Sequence, residues 1–138
     1  MTIQKIAVLG AGQMGNGITQ VAACAGYEVT MIDIQQDYVD NGLATIEKSL
    51  AKLVAKESMT PDDANAALSR ISGSVERSSA ADADVVVEAI PEIPELKFST
   101  LAELDEICKS STILASNTSS ISINDIAAAT SRPNKVIG

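Results

Sequence analysis

The chain has 138 residues, 46% of them hydrophobic and 2% aromatic, with 18 acidic against 10 basic side chains and a formal net charge of −8. That length suits one domain able to bury roughly two-thirds of its unfolded surface, and the acidity argues against nucleic acid or an anionic membrane as partner. No apolar run approaches the ~20 residues of a membrane span, and the N-terminus enters a strand by Ile3 without a signal-peptide pattern.

The first predicted element is a strand over 3–9, whose apolar run Ile6-Ala7-Val8-Leu9 feeds into Gly10-Ala11-Gly12-Gln13-Met14-Gly15. An amphipathic helix starts near Gln13. A second strand over 27–32 then delivers Asp33, 18 residues after Gly15 and 23 after Gly10. A glycine hexamer alone is weak evidence. Flanked by strand, helix and an acid at this distance, it is a dinucleotide-binding fingerprint. Gly10 permits the tight turn, Gly12 lets the backbone approach a diphosphate, and Gly15 lets the helix pack close to the strand. Free amides at the helix start, around Gln13 and Met14, face the anion. Asp33 accepts hydrogen bonds from ribose hydroxyls and repels a 2′-phosphate, while Ile34 and Gln35 supply no arginine to reverse that. NAD is favoured over NADP.

Val39, Leu43, Ile46, Leu50 and Leu53 recur at alternating spacings of four and three, which predicts one long helix over 36–56. A shorter helix follows from Thr60-Pro61-Asp62-Asp63, with Thr60 as cap, Pro61 in the first turn and the acids suiting the dipole. Together they predict a helical hairpin inserted between strands two and three. Lys48, Lys52 and Lys56 share one face of the long helix, and Ser49 lies beside Lys56 on the helical wheel. Such a stripe is either a solvated face, supported by acids such as Glu47, or a receiver for a phosphorylated ligand.

Further strands are predicted over 70–75, 84–89 and 112–116, with a sixth opening at Lys135-Val136-Ile137. Alternating strand and helix argues for an α/β fold: a doubly wound, mostly parallel sheet of the Rossmann type, covered on both faces. After strand four, Glu92 and Lys97 flank a helix opening near Pro94, at the carboxyl edge where ligands of such sheets bind. Each taken alone reads more blandly, Glu92 as a favourable acid near a helix start and Lys97 as half of a surface ion pair. Strand five ends in Ser116-Asn117-Thr118-Ser119-Ser120, before a short helix capped by Ser122 with Asp125 three positions on. Its position on the carboxyl edge favours a row of donors aimed at a nicotinamide and a reacting carbonyl over simple loop chemistry. Cys24 and Cys108 read as small buried hydrophobes in a reducing cytoplasm. The chain contains no histidine, so acid–base work by imidazole has to come from outside it.

Taken together, the glycine stretch through Ile18, Val86-Val87-Glu88-Ala89-Ile90-Pro91-Glu92, Ala115-Ser116-Asn117-Thr118-Ser119-Ser120 and the closing Arg132-Pro133-Asn134-Lys135-Val136-Ile137-Gly138 resemble the 3-hydroxyacyl-CoA dehydrogenase family, with its 3-hydroxybutyryl-CoA members nearest. The resemblance implies reversible hydride transfer between C3 of a 3-hydroxyacyl-CoA and a nicotinamide, in fatty-acid and butanoate metabolism. By it, Gly10, Gly12, Gln13, Met14 and Gly15 hold the pyrophosphate, Asp33 the adenine ribose, and Glu92 and Lys97 the nicotinamide half. Ser119 lies near both nicotinamide and the substrate's 3-oxygen, with Asn117 in support. Ser49 and Lys56 match coenzyme A contacts, which turns the lysine stripe toward the ligand reading. The family's catalytic histidine, its partner glutamate and the helical dimerisation domain of a homo-oligomeric parent belong to later segments than Gly138. The chain is therefore expected to be the cofactor half of the enzyme, binding NADH and turning over nothing alone. The alternative is a stand-alone NAD-binding sensor or interaction module.

Overall fold

The computed structural model describes residues 2–138. Its strands are β1 (Lys5–Leu9), β2 (Glu28–Ile32), β3 (Ile71–Ser74), β4 (Val85–Glu88), β5 (Ile113–Ser116) and β6 (Val136–Ile137). Its α-helices are α1 (Gln13–Cys24), α2 (Gln36–Ala55), α3 (Pro61–Ser69), α4 (Pro94–Ile107) and α5 (Ile123–Ala128). The six strands form one sheet in the order β3-β2-β1-β4-β5-β6. Every neighbouring pair is parallel, where a mostly parallel sheet was expected. No helix among the described residues is long and apolar enough to cross a membrane.

The register decides which residues meet at the carboxyl edge. Leu9 pairs with Ile32 on one side and with Glu88 on the other, and Glu88 pairs with Ser116. The strand order reverses at β1, between β2 and β4, so the crevice of a doubly wound sheet opens directly above Leu9.

Alternation along the strands builds two cores. Ala7 and Leu9 join Val86, Leu101, Leu104, Leu114 and Ile126 under α4 and α5. Val8, Val29 and Met31 face the other way, against Ile46 and Leu50 of α2 and Ala64 and Ala67 of α3. The predicted hairpin is thus α2 and α3, and its apolar stripe is what fastens it: Val39, Ile46 and Leu50 are at most 1% exposed. Thr60 caps α3 as expected, its hydroxyl accepting from Asp63 N at 3.1 Å, and Ser122 caps α5 through Asp125 N.

The link from β3 to β4 holds only a 3₁₀ turn, Arg77–Ala80, because ten residues between the strands are too few for a covering helix. One expectation changes. Cys24 is exposed, lying on the outer side of α1, whereas Cys108 is buried at the end of α4 and donates to Ala80 O at 3.5 Å.

Candidate functional site

The glycine turn is built from close approaches. Gly10 has φ +108° and donates its N–H to Ile32 O at 2.7 Å. A Cβ there would stand 2.5 Å from the Ala89 carbonyl oxygen, so only glycine satisfies both the backbone angle and the packing. A Cβ on Gly15 would stand 1.8 Å from Gly10 O, so the close packing expected of Gly15 is against the turn itself. Gly12 differs: its Cβ would meet nothing within 4 Å. No packing reason within the chain explains that glycine.

The amides above Gly12 are free to receive an anion. No side chain caps α1 and no acid sits in its first turn. Its ladder begins with Asn16 N donating to Gly12 O at 2.8 Å, which leaves the Gln13, Met14 and Gly15 amides ahead of the first rung. Helix α2 closes in beside them, since a Cβ on Gly42 would lie 2.8 Å from Ala11 O. Gly42 was not singled out in the sequence, because a glycine inside a helical stripe carries no local sign of what it packs against.

Asp33 is tied to this turn. Its Oδ2 accepts from Ala11 N at 2.8 Å and its Oδ1 from Ile34 N at 2.7 Å. The carboxylate therefore fixes the loop as well as offering its remaining lone pairs outward. Gly10, Gly12, Gln13, Met14 and Asp33 all line one hollow of about 740 Å³, whose far wall includes Ile90 and Leu96.

Glu92 brings Lys97 and Ser119 together, and Lys97 is bound in turn by Glu88. Lys97 is buried, not half of a surface ion pair. Its Nζ donates to Glu88 Oε1 at 2.8 Å and Oε2 at 2.9 Å, and lies 3.3 Å from Glu92 Oε1. Glu88, also fully buried, accepts further from the Ser116 hydroxyl and from Ile90 N. Glu92 stands outside this pair. It accepts from the Thr118 hydroxyl at 2.8 Å, from Ser119 N at 2.9 Å and from the Ser119 hydroxyl at 3.2 Å. The Ser119 amide first, then the Thr118 hydroxyl and the Lys97 ammonium, hold the Glu92 carboxyl at about 2, below its ordinary 4.5. Glu92 is thus a permanent anion at the carboxyl edge. Asn117 is engaged through its backbone, donating to Glu88 O at 2.9 Å, with its side chain exposed.

Ser49 lies on α2 and Lys56 caps its C-terminal end, both apart from the hollow's lining. Asn41 and Thr45, respectively two turns and one turn before Ser49, border a shallower hollow of about 350 Å³ that shares Gly12 and Gln13. Ser49 and Lys56 continue that face along the helix. Lys48, Lys52 and Lys56 are exposed, and no ion pair among the described residues includes them or Glu47.

A bare helix start over open space, an acid at the adjacent strand tip and a sheet reversing its order between them define a dinucleotide-binding domain. The donor set fits the group: amides for the diphosphate and a carboxylate for a ribose. The family model for the 3-hydroxyacyl-CoA dehydrogenase NAD binding domain matches residues 5–138, and the chain belongs to that family. It is 46% identical over 136 residues to 3-hydroxybutyryl-CoA dehydrogenase of Bradyrhizobium diazoefficiens, covering 99% of this chain and 46% of that protein. It is 40% identical over 136 residues to the fatty acid oxidation complex subunit alpha of a Psychrobacter species, covering 99% of this chain and 19% of that one. The crystal structure of (S)-3-hydroxybutyryl-CoA dehydrogenase PaaH1 from Ralstonia eutropha superposes with a TM-score of 0.95 at 43% identity, covering 98% of this chain and 48% of that chain. The chain spans about half the length of these 3-hydroxybutyryl-CoA dehydrogenases. A stand-alone sensing role finds no support in these relatives.

Proposed function

We propose that residues 1–138 form the cofactor half of an oxidoreductase that interconverts a 3-hydroxyacyl-CoA, 3-hydroxybutyryl-CoA above all, and the corresponding 3-ketoacyl-CoA. Bound NAD supplies the hydride acceptor at nicotinamide C4. The Gln13, Met14 and Gly15 amides, over the space left by Gly12, bind the diphosphate, and Asp33 takes the adenosine ribose. Glu92 presents a fixed anion toward the nicotinamide end, where a carboxamide N–H₂ offers two donors. The Ser119 hydroxyl beside it is placed to donate toward the substrate's 3-oxygen, with Asn117 in support. Lys97, sealed behind Glu92, sets that anion's position and charge. Ser49 and Lys56 receive coenzyme A along α2, consistent with the unpaired lysine face there. The proton of the 3-hydroxyl goes to a base outside these residues, since the chain has no histidine.

The observation that carries this reading is the bare start of α1 over Gly12 with Asp33 bound to the same turn. Calorimetric titration with NADH and NADPH tests it. NADH is expected to bind more tightly, and Asp33→Ala to abolish most of that preference. Absence of NADH binding at millimolar concentration would overturn the reading. The chain alone is expected to show no acetoacetyl-CoA reduction, because acid–base catalysis worth a factor of roughly a hundred to ten thousand lies outside it.

A further inference from the structure

Asp33 shares its hollow with a second charge that the residues following it do not announce. Ile34 and Gln35 bring no cation to the hollow, yet Arg77 lines it. The sheet explains how. Strand β3 pairs with β2 so that Ser74 lies beside Ile32, and Asp33 N donates to Ser74 O at 3.2 Å. The chain leaving β3 therefore passes Asp33, and the 3₁₀ turn beginning at Arg77 delivers the guanidinium there. Arg77 is the sole cation among the residues that line the hollow, as Asp33 is the sole anion.

Its place within the hollow is on the side away from the diphosphate-binding amides. A small annex of about 50 Å³ opens there; Gly10, Asp33, Ile34, Val75, Arg77 and Ile90 are among its lining residues, and Gly12, Gln13 and Met14 are not. Ile34 is 71% exposed and Val75 39% exposed, an unusual expense of apolar surface beside a carboxylate. A flat heteroaromatic base joined to a ribose at Asp33 would cover both. Arg77 is not free in this arrangement: its Nη1 donates to the Glu103 carboxylate of α4. A guanidinium held in one orientation offers its face to an aromatic ring. Its charge is at the same time engaged by Glu103, and so is withheld from a phosphate on the ribose 2′-oxygen.

We propose that Arg77 and Glu103 form a cofactor-selecting couple: Arg77 stacks its guanidinium on the adenine of the bound dinucleotide, and Glu103 restrains that guanidinium from turning to a 2′-phosphate. The inference rests on the NAD-binding reading above. Arg77 touches the cofactor, whereas Glu103 lines neither hollow and is a positioning residue. Selection against NADP then has two parts, repulsion by Asp33 and the holding of the one nearby cation.

The test is calorimetric titration of the chain, Arg77→Gln, Glu103→Gln and the double variant with AMP, NADH and NADPH, with urea unfolding as a check on folding. Arg77→Gln is expected to weaken AMP and NADH together by about three- to tenfold, the size of a partly exposed cation–π contact. Glu103→Gln is expected to raise NADPH affinity relative to NADH about threefold or more, since a guanidinium released from its carboxylate can form a charge-assisted contact with the 2′-phosphate. That shift disappears in the double variant, where no guanidinium remains to turn. A purely structural pair would move the unfolding midpoint and leave the NADPH-to-NADH ratio alone. AMP and NADH binding within twofold of the parent in Arg77→Gln, or an unchanged ratio in Glu103→Gln, overturns the inference. Failure of the parent chain to bind NADH overturns the function proposed above instead, so the two failures are told apart.

Discussion

Lys97 and Glu88 form an ion pair sealed from water, with both Glu88 oxygens within 2.9 Å of the ammonium and each side chain at most 1% exposed. Two charges are taken out of solvent here. The desolvation is tolerable only because Ser116, Ile90 N and Glu92 complete the coordination. The pair joins the end of β4 to the first turns of α4, and through Glu92 it reaches the loop after β5. Removing one partner leaves the other charge buried and uncompensated. Lys97→Met is therefore expected to cost about 3–5 kcal/mol, read as a lowered midpoint of urea unfolding. A midpoint equal to the parent's would show that the fold does not depend on the pair.

The exposed end of the same network has a pH signature. Glu92 is held at about 2 against an ordinary 4.5, the Ser119 amide being the largest cause and the Thr118 hydroxyl and Lys97 adding to it. A carboxyl depressed in the folded state contributes stability that is whole above its unfolded value and lost as pH falls toward its folded one. The window here runs from about pH 4.5 down to about pH 2. Asp84 is also pushed down, by the Lys109 ammonium and then the Gln4 and Lys5 amides, so the parent alone cannot isolate Glu92. Unfolding midpoints of the parent and Glu92→Gln are expected to converge as pH falls through that window and to stay apart above it. Parallel curves throughout would mean that the ionisation of Glu92 contributes nothing to folding.

Gly12 and Gly15 separate binding from folding. An added Cβ at Gly12 meets no protein atom within 4 Å, so Gly12→Ala is expected to cost about 1 kcal/mol or less, the difference between the two residues at a helix N-cap. The methyl fills the space over the α1 amides, and NADH affinity is expected to fall at least about tenfold, the equivalent of a displaced charge-assisted contact. An added Cβ at Gly15 lies 1.8 Å from Gly10 O, and Gly15→Ala is expected to prevent folding or to lower stability by several kcal/mol. Gly12→Ala with undiminished NADH binding would place the diphosphate elsewhere.

What could be read from the sequence was whatever repeats locally or is spelled within one βαβ unit. The apolar runs marked β1, β2, β4 and β5, the four-and-three spacing marked α2, and Thr60 and Ser122 marked their caps. The glycine turn and Asp33 were legible for the same reason, since fixed spacing carries their chemistry. Residues that act across elements were not. Lys97 looks like any helix-surface lysine until β4 pairs with β1 and presents Glu88 beneath it. Arg77 is far from Asp33 in sequence and comes to share its hollow only through the β2–β3 register. Cys24 misled through composition, because small thiols are usually buried and the outer side of α1 is the exception here.

Arg132 shows how much one such distant side chain carries. It is buried at the opposite, amino edge of the sheet, and all five of its guanidinium N–H groups are used. Nε donates to Asp105 Oδ1 at 2.6 Å; Nη1 to Lys109 O at 2.7 Å and Thr112 O at 3.1 Å; Nη2 to Asp105 O at 2.9 Å and Cys108 O at 3.3 Å. Three of the four carbonyl acceptors belong to the end of α4 and the turn after it, where helix carbonyls lack partners of their own. The fourth, Thr112 O, opens the approach to β5, so one residue near β6 fastens α4 to two strands. Lysine has three donors and no fork, and cannot reproduce this set. Arg132→Lys is expected to lower stability by about 2–4 kcal/mol, from several buried carbonyls left unsatisfied. Its distance from the carboxyl edge should leave NADH affinity within about twofold of the parent, a difference under ~0.5 kcal/mol. Urea unfolding and NADH titration on the same preparation would show the reverse of the Gly12→Ala pattern, stability lost and binding kept. Loss of NADH affinity in a folded Arg132→Lys chain would mean that the two edges of the sheet are coupled.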